Sequence, residues 1–110
     1  MLTLYHNDMS VCAQTVRLAL AEKNIEYEAI HLNLRTGDQR TPEYLKLNPK
    51  GVVPTLVNDD FVITESIVVN EYIDDAFPET PLKPDSAEDR ARMRWWTKQI
   101  DCAEFGFGSE

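Results

Sequence analysis

Residues 48–66 read NPKGVVPTLVNDDFVITES. Asn48-Pro49-Lys50-Gly51 has turn composition, Thr55-Leu56-Val57 and Phe61-Val62-Ile63-Thr64 are short apolar runs, and Asn58-Asp59-Asp60 lies between them. Two such runs joined by so short a connection predict an antiparallel pair. Glu65-Ser66 then opens a helical pattern, with Ile67, Val68, Tyr72, Ile73 and Phe77 expected on one side and Pro78 as its stop. The stretch therefore predicts two paired strands followed by a helix.

Upstream, the pattern differs. Leu2-Thr3-Leu4-Tyr5 reads as a strand, and Asn7, Asp8 and Ser10 supply turn and N-cap chemistry. From Val11 to Lys23 the apolar residues Cys12, Val16, Ala19 and Leu20 recur at helical spacing, with Asn24 as the stop. Tyr27 to Leu32 is a second strand, and two strands joined through one helix run parallel by a right-handed crossover. A polar loop over Asn33 to Pro42 and a short helix around Glu43 to Leu47 complete the first half. The predicted order is βαβαββα, an α/β sandwich on a mixed sheet spanning residues 1–78. Residues 79–86, within a stretch bearing Pro78, Pro81 and Pro84, read as a linker. Residues 87–110 read as one further amphipathic helix, reaching about Phe105, with an aperiodic tail. Trp95 and Trp96 on that helix are expected to bury against the first domain or a partner subunit.

Composition narrows the class. At 43% hydrophobic and 27% charged, the 110 residues have ordinary globular usage, which excludes disordered and collagen-like chains. The formal charge of −8 repels phosphate backbones and anionic membrane surfaces, so neither direct nucleic-acid binding nor a membrane role is expected. Arg90, Arg92, Arg94 and Lys98 do not alter this, because Glu88, Asp89, Asp101 and Glu104 surround them as on a solvated, ion-paired face. No basic segment followed by an apolar one opens the chain, and the expected setting is the cytoplasm. Cys12 and Cys102 are too few for a disulfide framework or a zinc site, so both are expected as free thiols and no metal is expected. Cys102 reads as an ordinary packed thiol.

Three places carry candidate chemistry. Ser10 and Cys12 stand at a helix start, where unpaired N–H groups and partial positive charge stabilise a thiolate of the protein or of a ligand; in isolation they read equally as a cap and a small buried residue. Pro54 precedes a strand and is the residue type for which a cis bond costs little, so the Val53 backbone could meet an extended peptide-like ligand, a trans turn proline being the commoner alternative. Ser66, at a helix start, suits a carboxylate and Glu65 an ammonium group, although a simple capping pair fits the same residues. The absence of a Cys-x-x-Cys pair disfavours dithiol chemistry. Arg17 reads as an ion-pair residue, His6 as a loop residue and His31 as a strand residue.

Taken in order, the helix-start serine, Asn48-Pro49-Lys50-Gly51-Val52-Val53-Pro54-Thr55-Leu56, Glu65-Ser66 and Glu71-Tyr72-Ile73 resemble the N-terminal thioredoxin-like domain of the cytosolic glutathione transferases. The resemblance runs over residues 1 to about 80, and the last helix resembles the first of that family's all-helical second domain. Ser10-x-Cys12 with Arg17-Leu18 is most similar to the zeta-type and bacterial dehalogenase-like members; Tyr5 sits where a tyrosine-type member would place its tyrosine, but Ser10 matches better. The resemblance implies glutathione as co-substrate. Ser10 would donate to its sulfur, Val53 beside a cis Pro54 would pair with its cysteinyl backbone, and Glu65 and Ser66 would hold its γ-glutamyl end. Gln39, Arg40 and Lys50 would face its glycyl carboxylate. It also implies a homodimer acting on a small electrophile by conjugation, isomerisation or dehalogenation. Two other functions share the pattern: a non-enzymatic regulator similar to the stringent starvation protein, and a glutathione-dependent thiol reductase in which Cys12 attacks substrate or forms a mixed disulfide.

Overall fold

A computed structural model describes residues 1–99. Its elements are β1 (Leu2–His6), α1 (Val11–Glu22), β2 (Glu28–His31), a 3₁₀ turn at Asp38–Arg40, α2 (Pro42–Leu47), β3 (Thr55–Asn58), β4 (Phe61–Thr64), α3 (Ser66–Ala76) and α4 (Ala87–Gln99). The sheet order is β2-β1-β3-β4, with β1 and β2 parallel and the other two pairings antiparallel. This is the expected mixed-sheet thioredoxin-like arrangement. The expected extension of the last helix to Phe105, and Cys102 with it, lies outside the described residues.

Alternation along the strands builds two apolar layers. Leu2 and Leu4 of β1, Leu56 of β3 and Ile63 of β4 pack with Val16 and Leu20 of α1 and Val69 and Ile73 of α3. On the other side, Tyr44 of α2 packs with Leu32, Val53 and Ala13, and Tyr5, Ile30, Leu34 and Leu47 border them. Burying each such large side chain contributes about 1.5–3 kcal/mol, and these two layers hold the sheet.

Local chemistry sets the helix limits. Ser10, in extended conformation, accepts from the Ala13 N–H through Oγ at 3.1 Å and starts α1. Asn24 adopts φ 59 just beyond the α1 C-cap, the left-handed stop a short amide side chain tolerates. Thr41 caps α2, with Pro42 in its first turn.

Three expectations about packing are corrected. In α3 the buried apolar positions are Val69 and Ile73, one turn apart, whereas Val68 is 54% exposed; the helix presents the next residue along to the core. His6 is not a loop residue but the buried last residue of β1, because β1 continues until it pairs His6 with His31. Trp95 and Trp96 do not bury against the first domain: they are 56% and 64% exposed, stacked edge to face at 4.9 Å, and α4 has no buried residue. Its ties are polar, through Arg94 to Glu71 at 2.8 Å and Arg90 to the Pro84 carbonyl at 2.6 Å. Of the expected ion-paired face, Arg92 pairs with Asp89 at 2.6 Å, while Asp101 and Glu104 lie outside the described residues.

The sequence does not announce Asp74. It is buried in α3 against the equally buried Lys23, at 2.9 Å, and accepts from the Leu82 and Lys83 N–H groups. Lys23 also donates to the Phe77 carbonyl. One buried pair thus fastens the end of α1, the end of α3 and the Leu82-Lys83 segment together. Burial alone would raise the Asp74 carboxyl, but the bonds from Leu82, Lys23 and Lys83 outweigh it and hold it below the usual carboxylate value.

Candidate functional site

Strand register brings the candidate residues to one end of the sheet. Tyr5 of β1 faces Thr55 of β3, and Thr55 faces Thr64 of β4. The exit of β1 toward Ser10, the entry to β3 from Val53-Pro54, and the exit of β4 into Glu65-Ser66 are therefore neighbours. Helices α1 and α3 both begin at this edge, with their positive ends there. Val53 and Ala13 share one buried cluster, which joins the second candidate to the first turn of α1.

Ser10 is buried, with its hydroxyl at the α1 cap. The Val53–Pro54 peptide bond is cis. Its approach is held by polar side chains whose importance the sequence did not signal. Tyr44 Oη donates to the Val52 carbonyl at 2.6 Å, so its single proton is spent there and Thr55 Oγ1, 2.7 Å away, is the donor to Tyr44 Oη. Asn48 Nδ2 donates to the Val52 carbonyl at 3.1 Å and to Thr55 Oγ1 at 3.2 Å, while its Oδ1 accepts from the Lys50 N–H. Burial pushes the Tyr44 phenol up, partly offset by its bonds with Thr55 and Asn48. Gly51 adopts φ +62, and a side chain there would press on the Gln39 carbonyl at 3.2 Å and on Leu45 at 3.3 Å. That close approach sets the Lys50-Gly51 turn against the 3₁₀ turn carrying Gln39 and Arg40.

Glu65 has φ 73, a left-handed value rare for a side chain of this size, and offers α3 no side-chain cap. Its carboxylate instead meets Lys50 Nζ at 3.1 Å across the site. An acid from the start of α3 and a base from the turn before β3 thus stand together, the pairing that a ligand bearing both ammonium and carboxylate groups would exchange. Arg40 is exposed nearby in the chain. Gln39 corrects an expectation: it is 7% exposed, and its amide donates inward to the Leu34 carbonyl at 3.3 Å, leaving an acceptor that does not attract a carboxylate.

Cys12 is the second correction. It is 4% exposed and disulfide-bonded, so in this state it has no thiol to ionise, and no cysteine among the described residues is a free thiol.

Around the β1–α1 turn stand groups that periodicity could not reveal. His6 and His31 meet edge to face at 5.5 Å, and the Asp8 carboxylate lies 4.0 Å from His6 Nδ1 and 3.7 Å from His31 Nε2. Arg17 pairs with Asp8 at 3.5 Å, the ion-pair role expected of it. Burial and then the Arg17 charge lower the His6 pKa below the usual imidazole value, against the opposing pull of Asp8. The only clue available was the cross-strand register, which brings two histidines 25 residues apart into one pair.

A hollow of about 300 Å³ lies between α1, α3 and α4, lined by Thr15, Ala19, Ser66, Ile67, Asn70 and Met93 among others. Ser66 borders it while opening α3 at the sheet edge.

Comparison with known proteins gives a consistent picture. Residues 1–75 match the model of the family described as glutathione S-transferase, N-terminal domain. The chain is 46% identical over 90 residues to glutathione S-transferase Z2 of Arabidopsis thaliana, covering 82% of this chain and 40% of that protein. It is 44% identical over 93 residues to maleylacetoacetate isomerase of Dictyostelium discoideum, covering 83% and 42%. Among solved structures, a glutathione transferase homolog from Sulfitobacter with bound glutathione superposes with a TM-score of 0.84 at 32% identity, covering 91% of this chain and 48% of that one. The chain spans about two fifths of the length of the curated relatives it matches.

Proposed function

Because the chain belongs to the glutathione S-transferase family, we propose that it binds glutathione, holds its sulfur as a thiolate and directs that thiolate at a small electrophile, in conjugation, isomerisation or dehalogenation. The observation that carries this is the convergence of the α1 start, the Val53-Pro54 entry to β3 and the Glu65-Ser66 entry to α3 on one sheet edge. The Ser10 hydroxyl donates to the sulfur, and the positive end of α1 adds to the stabilisation of the thiolate. The Val53 backbone pairs with the cysteinyl unit as a strand would. Glu65 takes the ammonium and Ser66, with the first N–H groups of α3, the carboxylate of the γ-glutamyl end. Lys50 and Arg40 face the glycyl carboxylate, with Gln39 supporting the turn beneath them. The Lys50–Glu65 pair supports this division, since each charge exchanges its partner for the opposite charge on the ligand.

In this reading residues 1–78 form the glutathione-binding domain, 79–86 the linker and 87–110 the opening helix of a helical domain. The protein acts in the cytoplasm, and as a homodimer, for which the exposed Trp95 and Trp96 offer a partner-facing apolar surface. The Ser10 hydroxyl stabilises the glutathione thiolate, and Cys12 supplies no nucleophile. The test is glutathione binding and turnover by the protein as its gene encodes it. Ser10→Ala is expected to lower kcat/KM by roughly a hundredfold, the usual loss when one donor to a developing anion is removed. Retained turnover in Ser10→Ala, lost instead in Cys12→Ala, would return the function to thiol reduction; no glutathione binding would remove both.

A further inference from the structure

We propose that Asn7 is the positioning residue that sets where the Ser10 hydroxyl stands, and thereby the pH at which bound glutathione ionises; this rests on the glutathione reading above. Asn7 is only 9% exposed, at the first turn after β1. Its Nδ2 donates to the Leu32 carbonyl at 2.8 Å, beyond the end of β2, and its Oδ1 accepts from the Met9 N–H at 2.8 Å. Its own carbonyl accepts from the Ser10 N–H at 3.0 Å. All three bonds act on the four-residue span that delivers Ser10 to the cap of α1. Leu32 is in turn fixed by its N–H on the His6 carbonyl at 2.8 Å, and it packs in the cluster that holds Val53 and Ala13.

Asn7 therefore references the Ser10 turn to the same buried cluster that carries the Val53 loop. The two groups meant to meet one ligand, at its sulfur and at its adjacent backbone, are thus spaced through Asn7 on the β2 side and through Ala13, which Ser10 caps, on the α1 side. The amide is needed at both ends: an acceptor alone keeps the local turn but loses the bolt to β2, and a donor alone does the reverse. Asn7 touches no ligand in this arrangement. Its effect is on the geometry of a hydrogen bond to a developing anion, which loses strength steeply with displacement.

The charged groups facing the turn are Asp8 within it and Arg17 on α1, with Lys50 and Glu65 across the site, and the titratable imidazoles are His6 on β1 and His31 on β2. They provide a control. Asp8→Asn removes a negative charge and leaves Arg17 uncompensated, which favours a thiolate, so it is not expected to raise the ionisation pH. Asn7→Ala leaves every charge in place and should raise it.

The readout is the ultraviolet thiolate band of glutathione titrated against pH on the whole protein. Wild type is expected to ionise glutathione below its value in free solution. Asn7→Ala is expected to move the midpoint up by about one pH unit, a tenfold loss of thiolate at any pH below both midpoints. Asn7→Ser, which keeps a turn acceptor but cannot reach Leu32, should fall between the two. Glutathione affinity measured at acid pH, where the thiol stays protonated, should be little changed. If Asn7→Ala fails to fold, Asn7→Ser alone decides. An unshifted midpoint in a folded Asn7 variant, or an equal upward shift in Asp8→Asn, overturns the assignment while leaving the glutathione reading intact. A wild type without a thiolate band overturns both.

Discussion

The sheet edge that carries the candidate site and the surface on which α4 rests are built by opposite means. At the edge, polar side chains are buried and bonded: Ser10, Asn7, Asn48 and Thr55 are all at or below 9% exposure, and each holds a turn rather than itself. Under α4 the contacts are exposed ion pairs around a hollow of about 300 Å³, and two tryptophans face outward. A buried polar group must be satisfied or it destabilises the fold, so its position is enforced. An exposed pair can rearrange at little cost. The site end is therefore specified by the domain's own residues, whereas the seat of α4 is only outlined by them.

The sharpest test of that contrast is the Lys23–Asp74 pair, the one ion pair buried on both sides among the described residues, which fastens the Leu82-Lys83 segment to the ends of α1 and α3. Asp74→Ala leaves a charged Lys23 uncompensated in the interior and is expected to cost about 3–5 kcal/mol in chemical denaturation. The pH dependence follows from the direction of its shift. Because the folded Asp74 value is depressed, its contribution is fully present above the unfolded value of about 3.9 and is lost as pH falls through the lower folded value. Asp74→Asn should flatten that acid limb. A steep limb retained in Asp74→Asn would place the acid sensitivity elsewhere.

Next in size is Asn48→Ala at the site end. It removes the donor to Thr55 Oγ1, which keeps only Tyr44 Oη, and the acceptor of the Lys50 N–H, and leaves the Val52 carbonyl to Tyr44 alone, at an expected cost of about 2 kcal/mol. Glutathione affinity should fall with stability, since the Val53 loop loses its fixed height over α2. A variant that loses stability but keeps full affinity would show that the loop does not depend on this bolt.

What sequence could and could not reveal divides along the same line. The apolar strands, the β1–α1 turn and the paired strands after Pro54 are readable because alternation and turn chemistry are local signals. So is the grouping of Ser10, Val53 and Glu65-Ser66, once strand order is known. Asn7, Asn48 and Asp74 are not, because an Asn in a turn or an Asp on a helix looks solvated until the partner arrives from 25, 7 or 51 residues away. Gln39 is hidden for the reverse reason: its amide is spent on Leu34, five residues back, and turned inward. Trp95 and Trp96 read as burying against the first domain or a partner subunit because large aromatic side chains usually find a surface, and within this chain α4 is attached to α3 by charge and leaves its rings exposed.

The smallest expected effect tests that attachment. Arg94 Nε and Nη2 both reach one oxygen of Glu71, at 3.0 and 2.8 Å, so the pair is directional but not a two-oxygen fork, and Arg94 is half exposed. Exposed pairs of this kind contribute about 0–1 kcal/mol and are screened by salt. Lys83 also approaches Glu71, at 3.9 Å, so Glu71 retains a cationic neighbour when Arg94 is removed. Arg94→Ala should therefore change stability by no more than about 0.5 kcal/mol, and less in high salt. A loss above about 2 kcal/mol would mean that α4 and the hollow beneath it form one cooperative unit with the sheet domain, and the contrast between the two regions would then be one of composition rather than of strength.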